Sequence, residues 1–300
     1  MQAKGSPFLL LAACFFALNT HAVADPPVTF EILADFAYPP GAFTQPYAIN
    51  DGGDVAGYFG DQSSGDSFGF VRYREGGFSM PIVDPNDGIG YTVVRGANDS
   101  NILCGFYRRS DLTDHSFVLS GDTFTDVAVP GTTDTSVTGI NDAGALCGYT
   151  YTSPTIMGFV SINSVVTSFT VPGAVWTFGN GINNSDECAG AYNVGNESHG
   201  FRRDADGALQ YPIDAPGATF TFLNGINDQG AMVGEADDRG AIRGVFFQST
   251  NKAALFEYPG ASVTIFTGIN NRGLICGYYQ TPTNMISRGF VVRVRPATEH

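Results

Sequence analysis

One short motif recurs along most of the chain and limits what the chain can fold into. The motif is Gly-Ile-Asn-Asp or a close variant, and its Asn falls at positions 50, 98, 141, 183, 227 and 270. Successive Asn residues are therefore 48, 43, 42, 44 and 43 positions apart. This period is typical of a supersecondary unit that is copied along a chain. Because one such unit cannot bury its apolar face alone, neighbouring units must pack around a continuous core.

Two other markers keep the same period. A Pro-Gly pair occurs at positions 40–41, 130–131, 172–173, 216–217 and 259–260. A Gly-Phe pair occurs at positions 69–70, 158–159, 200–201 and 289–290. Because the three markers follow one another in a fixed order, they define the repeated unit over its whole length.

Each unit is predicted to contain four short strands. In the third unit, four stretches rich in β-branched and aromatic residues span positions 135–141, 145–151, 156–162 and 166–171. The sequence Asn141-Asp142-Ala143-Gly144 between the first two has the chemistry of a hairpin turn. No stretch shows the periodicity of a helix. Four-stranded units of this length, repeated radially, predict an all-β fold, a six-bladed β-propeller.

The two ends of the chain indicate how such a ring closes. The last unit contains only three of the expected strands, the third of them near residues 288–293. The segment 28–36 precedes a Pro-Gly pair, as fourth strands do elsewhere in the chain. We therefore expect the N-terminal strand to pair with the last blade and to complete it. Such pairing removes the exposed sheet edges that an open array of units would carry.

The first 24 residues predict a secretory signal peptide, which leaves residues 25–300 as a single propeller domain. Lys4 precedes the apolar stretch 7–18, and Ala22-Val23-Ala24 offers the small residues of a cleavage site. We therefore expect an exported protein, extracellular or periplasmic, with no membrane span.

Cys14 leaves a second route of processing open. It follows Leu11-Ala12-Ala13, which fits the small-residue pattern of lipoprotein processing, although the apolar run continues past it. The four later cysteines, Cys104, Cys147, Cys188 and Cys276, are expected to be buried free thiols. Three of them occupy a short frame in which Ala or Val stands in other units, which indicates a small apolar core site.

The charge balance excludes one class of partner. The chain has 15 Lys and Arg against 29 Asp and Glu, and its formal net charge is −14. Binding to nucleic acid requires clustered basic residues that neutralise phosphates, and the sequence shows no such cluster. We therefore expect no nucleic-acid partner.

The Gly-Phe marker carries a resemblance to a known family. Two units place His before it, as His115-Ser116-Phe117 and His199-Gly200-Phe201. Together with the Pro-Gly-Ala and Gly-Ile-Asn-Asp markers, this pattern resembles the HAF-repeat family of extracellular bacterial repeat proteins. The resemblance implies a secreted, propeller-like repeat protein, and it brings no established catalytic residue to this chain.

The loops between the second and third strands are the candidate functional region. They differ between units and carry unevenly distributed charge, and function is commonly placed on variable loops of a rigid scaffold. If the blades close into a ring, these side chains surround one mouth of the central channel. The candidate binding residues are Arg109, Asp111, Asp114, His115, Glu197, His199, Asp237, Asp238 and Arg239.

We interpret the protein as a non-enzymatic binding or scaffold module that acts through these loops. A glycan, an envelope component or another protein is the expected partner, and we expect a monomer without a cofactor. The alternative is a hydrolase or lyase acting on a glycan or lactone through acidic loop residues at the channel mouth. No Gly-x-Ser-x-Gly, His-Glu-x-x-His or phosphate-loop motif supports catalysis.

Several other polar and aromatic residues are interpreted as structural. The repeated Asn and Asp residues are expected to form turns, although oxygen ligands of this kind also suit calcium, and metal binding stays open. His115 and His199 are expected to pack beside the Phe that follows in their motif. Four tyrosines at the exits of second strands are assigned to packing between blades, namely Tyr107, Tyr149, Tyr192 and Tyr278.

Overall fold

The computed structural model describes residues 28–39, 43–60, 64–152 and 154–296. The predicted signal peptide, residues 1–24, and the alternative lipidation at Cys14 lie outside the described residues. The described part of the chain is built from β-strands joined by turns, and it contains no helix long and apolar enough to cross a membrane.

The strands have the following bounds. They are Val28–Phe36 (β1), Phe43–Ile49 (β2), Val55–Gly60 (β3), Ser67–Arg72 (β4), Thr92–Ala97 (β5), Leu103–Arg108 (β6), Asp114–Ser120 (β7), Thr123–Val127 (β8), Asp134–Ile140 (β9), Leu146–Thr152 (β10), Thr155–Ile162 (β11), Val165–Phe169 (β12), Trp176–Ile182 (β13), Cys188–Val194 (β14), Glu197–Arg203 (β15), Leu209–Ile213 (β16), Thr221–Ile226 (β17), Met232–Asp238 (β18), Ala241–Ser249 (β19), Lys252–Phe256 (β20), Val263–Ile269 (β21), Leu274–Thr281 (β22) and Asn284–Pro296 (β23).

Consecutive strands pair antiparallel in short meanders. These run β2–β3–β4, β5–β6–β7–β8, β9–β10–β11–β12, β13–β14–β15–β16, β17–β18–β19–β20 and β21–β22–β23. Single parallel contacts, Ile156 with Trp176 and Ile242 with Val263, join two pairs of neighbouring meanders. In the third unit the four strands agree with the predicted stretches to within two residues at every end.

The first unit departs from the expected four strands. After β4 the chain makes only isolated bridges, Gly69 with Ile82 and Arg72 with Phe78, instead of a continuous outer strand. Pro81 has no N–H to donate to a ladder, and Gly76 and Gly77 both adopt positive φ angles of 98° and 83°. These residues interrupt the outer strand of that unit.

The strand β1 pairs antiparallel with β23, far away in sequence. The ladder runs from Val28 opposite Pro296 to Phe36 opposite Gly289, with one register shift between Ile32 and Ala34. Phe36 is 7 % exposed and packs in the same apolar cluster as residues of β3 and β4. The strand therefore contacts both the last meander and the first.

A ring of hydrogen bonds links the repeated Asn-Asp turns. In every unit, the backbone N–H of the residue after the Asn donates to a side-chain oxygen of the equivalent residue in the following unit, at 2.6–2.8 Å. The order of these residues is Asp51, Asp99, Asp142, Asn184, Asp228, Asn271 and again Asp51. The turn carboxylates and amides are thus used to connect units.

The Asn side chains serve the turns in two ways. In each unit the Asn Oδ1 accepts a backbone N–H four residues ahead, as in Ala145 to Asn141 at 2.8 Å. In five units the Asn Nδ2 also donates to the carbonyl of the next unit's Asn. The predicted structural role of these turns is confirmed by these hydrogen bonds. Among the described residues, no group of three or more His, Cys, Asp or Glu side chains is placed to hold a metal ion.

Close approach of the inner strands explains the repeated Gly before Ile-Asn. A Cβ added at Gly181 would lie 2.9 Å from the Cα of Gly225, and one added at Gly139 would lie 3.3 Å from the Cα of Gly181. The inner strands therefore approach each other through their backbones. The four cysteines are buried free thiols, as predicted, with Cys104, Cys147, Cys188 and Cys276 each fully inaccessible.

Candidate functional site

The structure divides the nine predicted loop residues into separate groups. Six of them lie in strands, since the ladders continue to tight turns, for example through Arg108 opposite Asp114 and Asp238 opposite Ala241. The strand residues are Asp114, His115, Glu197, His199, Asp237 and Asp238, and the turn residues are Arg109, Asp111 and Arg239. The variable loops considered in the sequence analysis are therefore short hairpins.

The second-unit residues are engaged mainly with one another. Arg108 forms an ion pair with Asp114 at 2.7 Å, and Arg109 Nη2 donates to the hydroxyl of Tyr107 at 3.1 Å. Asp111 accepts from Thr113, whose hydroxyl also contacts His115 Nε2 at 2.8 Å.

The fifth-unit residues also make local contacts. Asp237 accepts hydrogen bonds from the Gly240 N–H and the Thr219 hydroxyl, both at 2.9 Å. Arg239 is 93 % exposed and lies 3.8 Å from Asp238. These contacts do not include any of the second-unit residues named above.

Glu197 and His199 line a wide cleft between the fourth and fifth units. His199 Nδ1 contacts Asp214 Oδ2 at 2.8 Å, its ring lies 5.3 Å from that of Tyr192, and its Nε2 is 3.8 Å from Glu197. The cleft has a volume of about 720 Å³. His115 is likewise stacked on Tyr107, with 5.7 Å between the ring centres. Each of the two histidines therefore packs against a tyrosine of the neighbouring strand.

The cleft leads toward the central channel. It shares two lining residues, Phe222 and Glu235, with a smaller cavity of about 220 Å³ between inner strands. The inner cavity is lined by Tyr47, Arg95, Tyr149, Phe178, Asn180, Phe222, Asn224, Glu235, Ile265, Thr267 and Tyr278. We call this space the central cavity.

A β-bulge in each inner strand supplies the residues that line the channel. In every unit the ladder between the first two strands skips the residue three positions before the Asn. An extra, unpaired residue of this kind re-aims its side chain. The six bulge residues are Tyr47, Arg95, Thr138, Asn180, Asn224 and Thr267, and all of them line the channel.

Four of the bulge residues have structural hydrogen bonds. Thr138 donates to the Gly179 carbonyl at 2.7 Å, and the amides of Asn180 and Asn224 donate to carbonyls of the following unit. Thr267 donates to the carbonyl of Cys276 at 3.2 Å. The two exceptions are Tyr47 and Arg95, whose side chains make no such backbone contact among the described residues.

Arg95 is held in the channel without a carboxylate partner among the described residues. Its guanidinium carbon lies 3.7 Å from the ring centre of Tyr47, and its buried Nε has no hydrogen-bond partner. Burial alone would lower the pKa of Arg95, but the neighbouring tyrosine hydroxyls, Tyr47 foremost, raise it above its usual value. The side chain therefore remains a cation with unused donors, and an acceptor on a bound molecule would satisfy them.

Glu235 faces the same cavity. It follows Gly234 in β18, and no hydrogen bond or ion pair reaches its carboxyl group from the described residues. Burial raises the pKa of Glu235 from 4.5 to about 7. The group therefore holds a proton near neutral pH more readily than an exposed glutamate does, and it can donate or accept a hydrogen bond.

Aromatic side chains form another wall. The ring of Phe178 lies 4.4 Å from Trp176 in a stacked arrangement and 4.6 Å from Tyr149, and Trp176 lies 5.6 Å from Phe222. Aromatic rings and hydrogen-bonding groups that line one cavity suit a ligand with one apolar and one polar face.

The assignment of the four tyrosines to one packing register is wrong for two of them. Tyr149 and Tyr278 immediately follow the Gly of their frame and line the central cavity. Tyr107 and Tyr192 stand one residue further along and are buried, at 0 % and 4 % exposure. Because strand side chains alternate between faces, a shift of one residue moves a side chain to the other side of the sheet.

Neither Arg95 nor Glu235 was selected in the sequence analysis, although both residues depart from the repeat. Arg95 is the only charged residue at the bulge position, and Glu235 occupies the position filled elsewhere by Tyr58, Phe106, Tyr149, Ala191 and Tyr278. A charged residue at a repeat position that is neutral in the other units indicates a candidate functional side chain.

Solved structures with the same architecture are β-propellers. TolB from Acinetobacter baumannii has a TM-score of 0.57 at 9 % identity, covering 86 % of this chain and 67 % of that chain. A mutant Aleuria aurantia lectin in complex with alpha-methyl-L-fucoside has a TM-score of 0.53 at 12 % identity, and the match covers 85 % of this chain and 96 % of the lectin. A gluconolactonase from Xanthomonas campestris has a TM-score of 0.52 at 11 % identity, and the match covers 89 % of this chain and 94 % of the gluconolactonase.

This chain therefore has a β-propeller fold, and at these identities the likeness concerns the fold alone. No model of a known protein family and no curated protein sequence matches the chain. The resemblance to the HAF-repeat family remains a prediction from the sequence motifs.

Replacing Glu235 should change how stability depends on pH. The pKa of Glu235 is higher in the folded protein than in the unfolded chain. Its contribution to stability is therefore fully present below about pH 4.5 and is lost as pH rises toward about 7. Because Glu235→Gln cannot ionise, we expect its free energy of unfolding, relative to that of wild type, to be about 2 kcal/mol higher at about pH 8 than at about pH 5. Urea unfolding at the two pH values measures the difference.

Glu75→Gln is the matched control, since Glu75 is an exposed carboxylate in the turn after β4. We expect it to change the free energy of unfolding by less than about 0.5 kcal/mol at both pH values. Equal pH dependence in wild type and Glu235→Gln would show that Glu235 is ionised without cost in the folded protein.

Proposed function

We propose that the protein is a glycan-binding β-propeller that takes the terminal residue of a glycan into the central cavity. The observation that carries this proposal is the pair Arg95 and Glu235, two ionisable side chains without partners among the described residues, on one cavity. Sugar hydroxyls both donate and accept hydrogen bonds, so they satisfy a guanidinium and a carboxyl group together. The aromatic side chains of Phe178 and Tyr149, which line the cavity, support the apolar face of a sugar ring.

The dimensions of the two spaces support binding of a chain end. Pockets for drug-sized ligands commonly measure about 300–1,000 Å³, and the central cavity of about 220 Å³ suits a single ring. The outer cleft of about 720 Å³ adjoins it through Phe222 and Glu235 and has room for the next residues. Glu197 and His199, which the sequence analysis selected, line this outer cleft. The lectin among the similar structures binds a fucoside, which is consistent with a sugar ligand on this fold.

A second candidate function is catalysis on the same ligand class, as a hydrolase or lyase acting on a glycan or lactone. One observation favours it, namely that the pKa of Glu235 is raised to about 7 by burial. A carboxyl group titrating near the working pH is suited to general acid–base catalysis. The gluconolactonase among the similar structures is an enzyme on this fold. In this account Glu235, rather than the acidic residues of the hairpin tips, transfers the proton.

The proposal includes a six-bladed ring, closed by the pairing of β1 with β23. It is supported by the ladder between these strands and by the hydrogen-bond ring that returns from Asn271 to Asp51. We further propose that residues 25–300 form one domain, and that residues 1–24 direct export, with lipidation at Cys14 as the alternative. A glycan on an external surface then agrees with an exported, monomeric binding protein.

The binding function can be tested with an array of immobilised oligosaccharides that differ in their terminal residues. We expect selective retention of the protein on glycans that share one terminal sugar. Arg95→Gln should weaken binding to the best of these by about 100-fold, because truncating a buried charged donor costs about 2–5 kcal/mol. Titration calorimetry with the soluble oligosaccharide measures the change.

Arg109→Gln is the matched control, since it makes the same substitution on the predicted loop face. We expect its affinity to stay within about twofold of wild type. Loss of binding in Arg109→Gln with retention in Arg95→Gln would place the site on the hairpin tips instead. Release of a shortened product during the titration, abolished in Glu235→Gln, would favour the catalytic reading.

A further inference from the structure

A second cleft is lined by four arginines. It measures about 210 Å³ and is lined by Leu33, Ala34, Gly53, Arg72, Arg74, Arg272, Leu274, Val291 and Arg293. None of these residues lines the central cavity. The cleft lies where β1 and the strands β22 and β23 meet the β3–β4 hairpin. We call it the arginine cleft.

The pairing pattern of the arginines makes this cluster unusual for so acidic a protein. The chain has 13 arginines, and seven have a carboxylate within 4 Å. Among the described residues, the other six have no such partner, and four of those six line the arginine cleft. Like charges gathered at one place repel each other, and a bound anion removes that cost.

Local contacts position three of the four arginines at the cleft. The guanidinium of Arg72 lies 4.7 Å from the ring centre of Phe36, and Arg272 Nη1 donates to the Asp51 carbonyl at 3.0 Å. The backbone N–H of Arg74 donates to Asp54 Oδ1 at 2.8 Å, while the stem of Arg74 packs over Gly53. These contacts use few of the guanidinium donors, so most remain available to a ligand.

We propose that the arginine cleft binds a multiply charged oxyanion group. Guanidinium groups bind carboxylate, sulfate and phosphate oxygens through paired hydrogen bonds, which makes arginine the residue suited to such ligands. Leu33, Leu274 and Val291 give the cleft an apolar floor, so an oxyanion attached to a small apolar group also fits. This site is separate from the glycan site, and neither depends on the other.

Binding here joins parts of the chain that are distant in sequence. Leu33 belongs to β1, Arg72 ends β4, Leu274 begins β22 and Arg293 lies in β23. A ligand bound to the folded protein and not to the unfolded chain raises the melting temperature. The oxyanion therefore stabilises the contact between the first and last meanders.

The test uses pyrophosphate and citrate as probes, with the purified protein at constant ionic strength. We expect at least one of them to bind one-to-one by calorimetry and to raise the melting temperature above that in sodium chloride. Pyrophosphate alone would indicate a phosphate ligand, citrate alone a carboxylate ligand, and both a general oxyanion site. Absence of binding by both probes overturns the proposal.

Two variants and one control connect the binding to the cleft. Arg293→Gln and the exposed Arg74→Gln should each weaken binding by about tenfold or more. Arg239→Gln, which removes an exposed charge from a hairpin outside the cleft, should stay within about twofold. Because Arg74 is exposed, its variant reports on binding even if Arg293→Gln is poorly folded. Equal weakening in Arg74→Gln and Arg239→Gln overturns the proposal, since it shows only a response to net charge.

Discussion

Removing residues 28–36, the strand β1, is expected to lower the melting temperature by at least about 12 °C and to cause aggregation. The strand buries Val28 and Phe36, and the ring of Phe30 packs 5.1 Å from that of Phe256. Its loss exposes the apolar surface beneath these side chains. It also leaves β23 with unpaired backbone groups at a sheet edge, which favours association with other chains.

The same strand carries a polar contact that its removal would break. Asp35 accepts hydrogen bonds from the hydroxyls of Tyr258 and Tyr279, both at 2.7 Å, and from Arg288 Nε at 3.0 Å. Burial alone would raise the pKa of Asp35, but these hydrogen bonds lower it below its usual value. The carboxylate therefore stabilises the fold above its ordinary pKa, and this contribution is lost as pH falls through the lowered value.

A circular permutant provides the control for the deletion. Val28 lies opposite Pro296 in the ladder, so a short turn can join them and let β1 follow β23 as a hairpin. A chain that starts at Phe43 and ends with this hairpin keeps every strand pair, and we expect a melting temperature close to that of wild type. Scanning calorimetry and size-exclusion chromatography measure both variants. A deletion variant that is monomeric and as stable as wild type would falsify the closure by β1.

The second large effect is expected at the glycine where inner strands touch. Gly181→Ala should destabilise the protein by about 2 kcal/mol, and Gly181→Val by about 3 kcal/mol. A Cβ at this position would lie 2.9 Å from the Gly225 Cα and 3.1 Å from the Asn224 carbonyl oxygen. Both obstacles are backbone atoms of a neighbouring inner strand, so the two strands must move apart to accommodate the side chain.

Gly195→Ala separates crowding from backbone conformation. Gly195 has a positive φ of 63° in a hairpin turn, and an added Cβ would meet nothing within 4 Å. Its substitution should cost about 1 kcal/mol, from the left-handed backbone alone. Urea unfolding measures the free energy of unfolding of each variant. A smaller decrease for Gly181→Ala than for Gly195→Ala would contradict the close approach of the inner strands.

The strands and turns were accessible from sequence because they depend on local chemistry. The Asn-Asp-x-Gly turns predict hairpins through backbone-directed side chains and a glycine with positive φ, and Gly144 has a φ of 80°. The repeat also located β1 by its position before a Pro-Gly pair. The irregular outer strand of the first unit was less accessible, although Pro81 could have indicated it.

The candidate site was less accessible because it depends on which way side chains point. Charge in the sequence drew attention to Arg109 and Asp111, which the structure places in a local network with Tyr107 and Thr113. The sequence around Arg95 is typical of a buried strand, and the bulge that turns its side chain into the channel is visible only in the structure. A one-residue slip in the repeat alignment likewise merged Tyr149 with Tyr107.

The most direct test of the glycan site is a crystal structure of the protein with the oligosaccharide that binds best on the array. The account predicts the terminal sugar ring in the central cavity, within hydrogen-bond distance of Arg95 and Glu235 and beside Phe178. The following sugars should lie in the outer cleft near His199. A glycan bound on the hairpin tips around Arg109 or Arg239, with the central cavity free of it, would contradict the account.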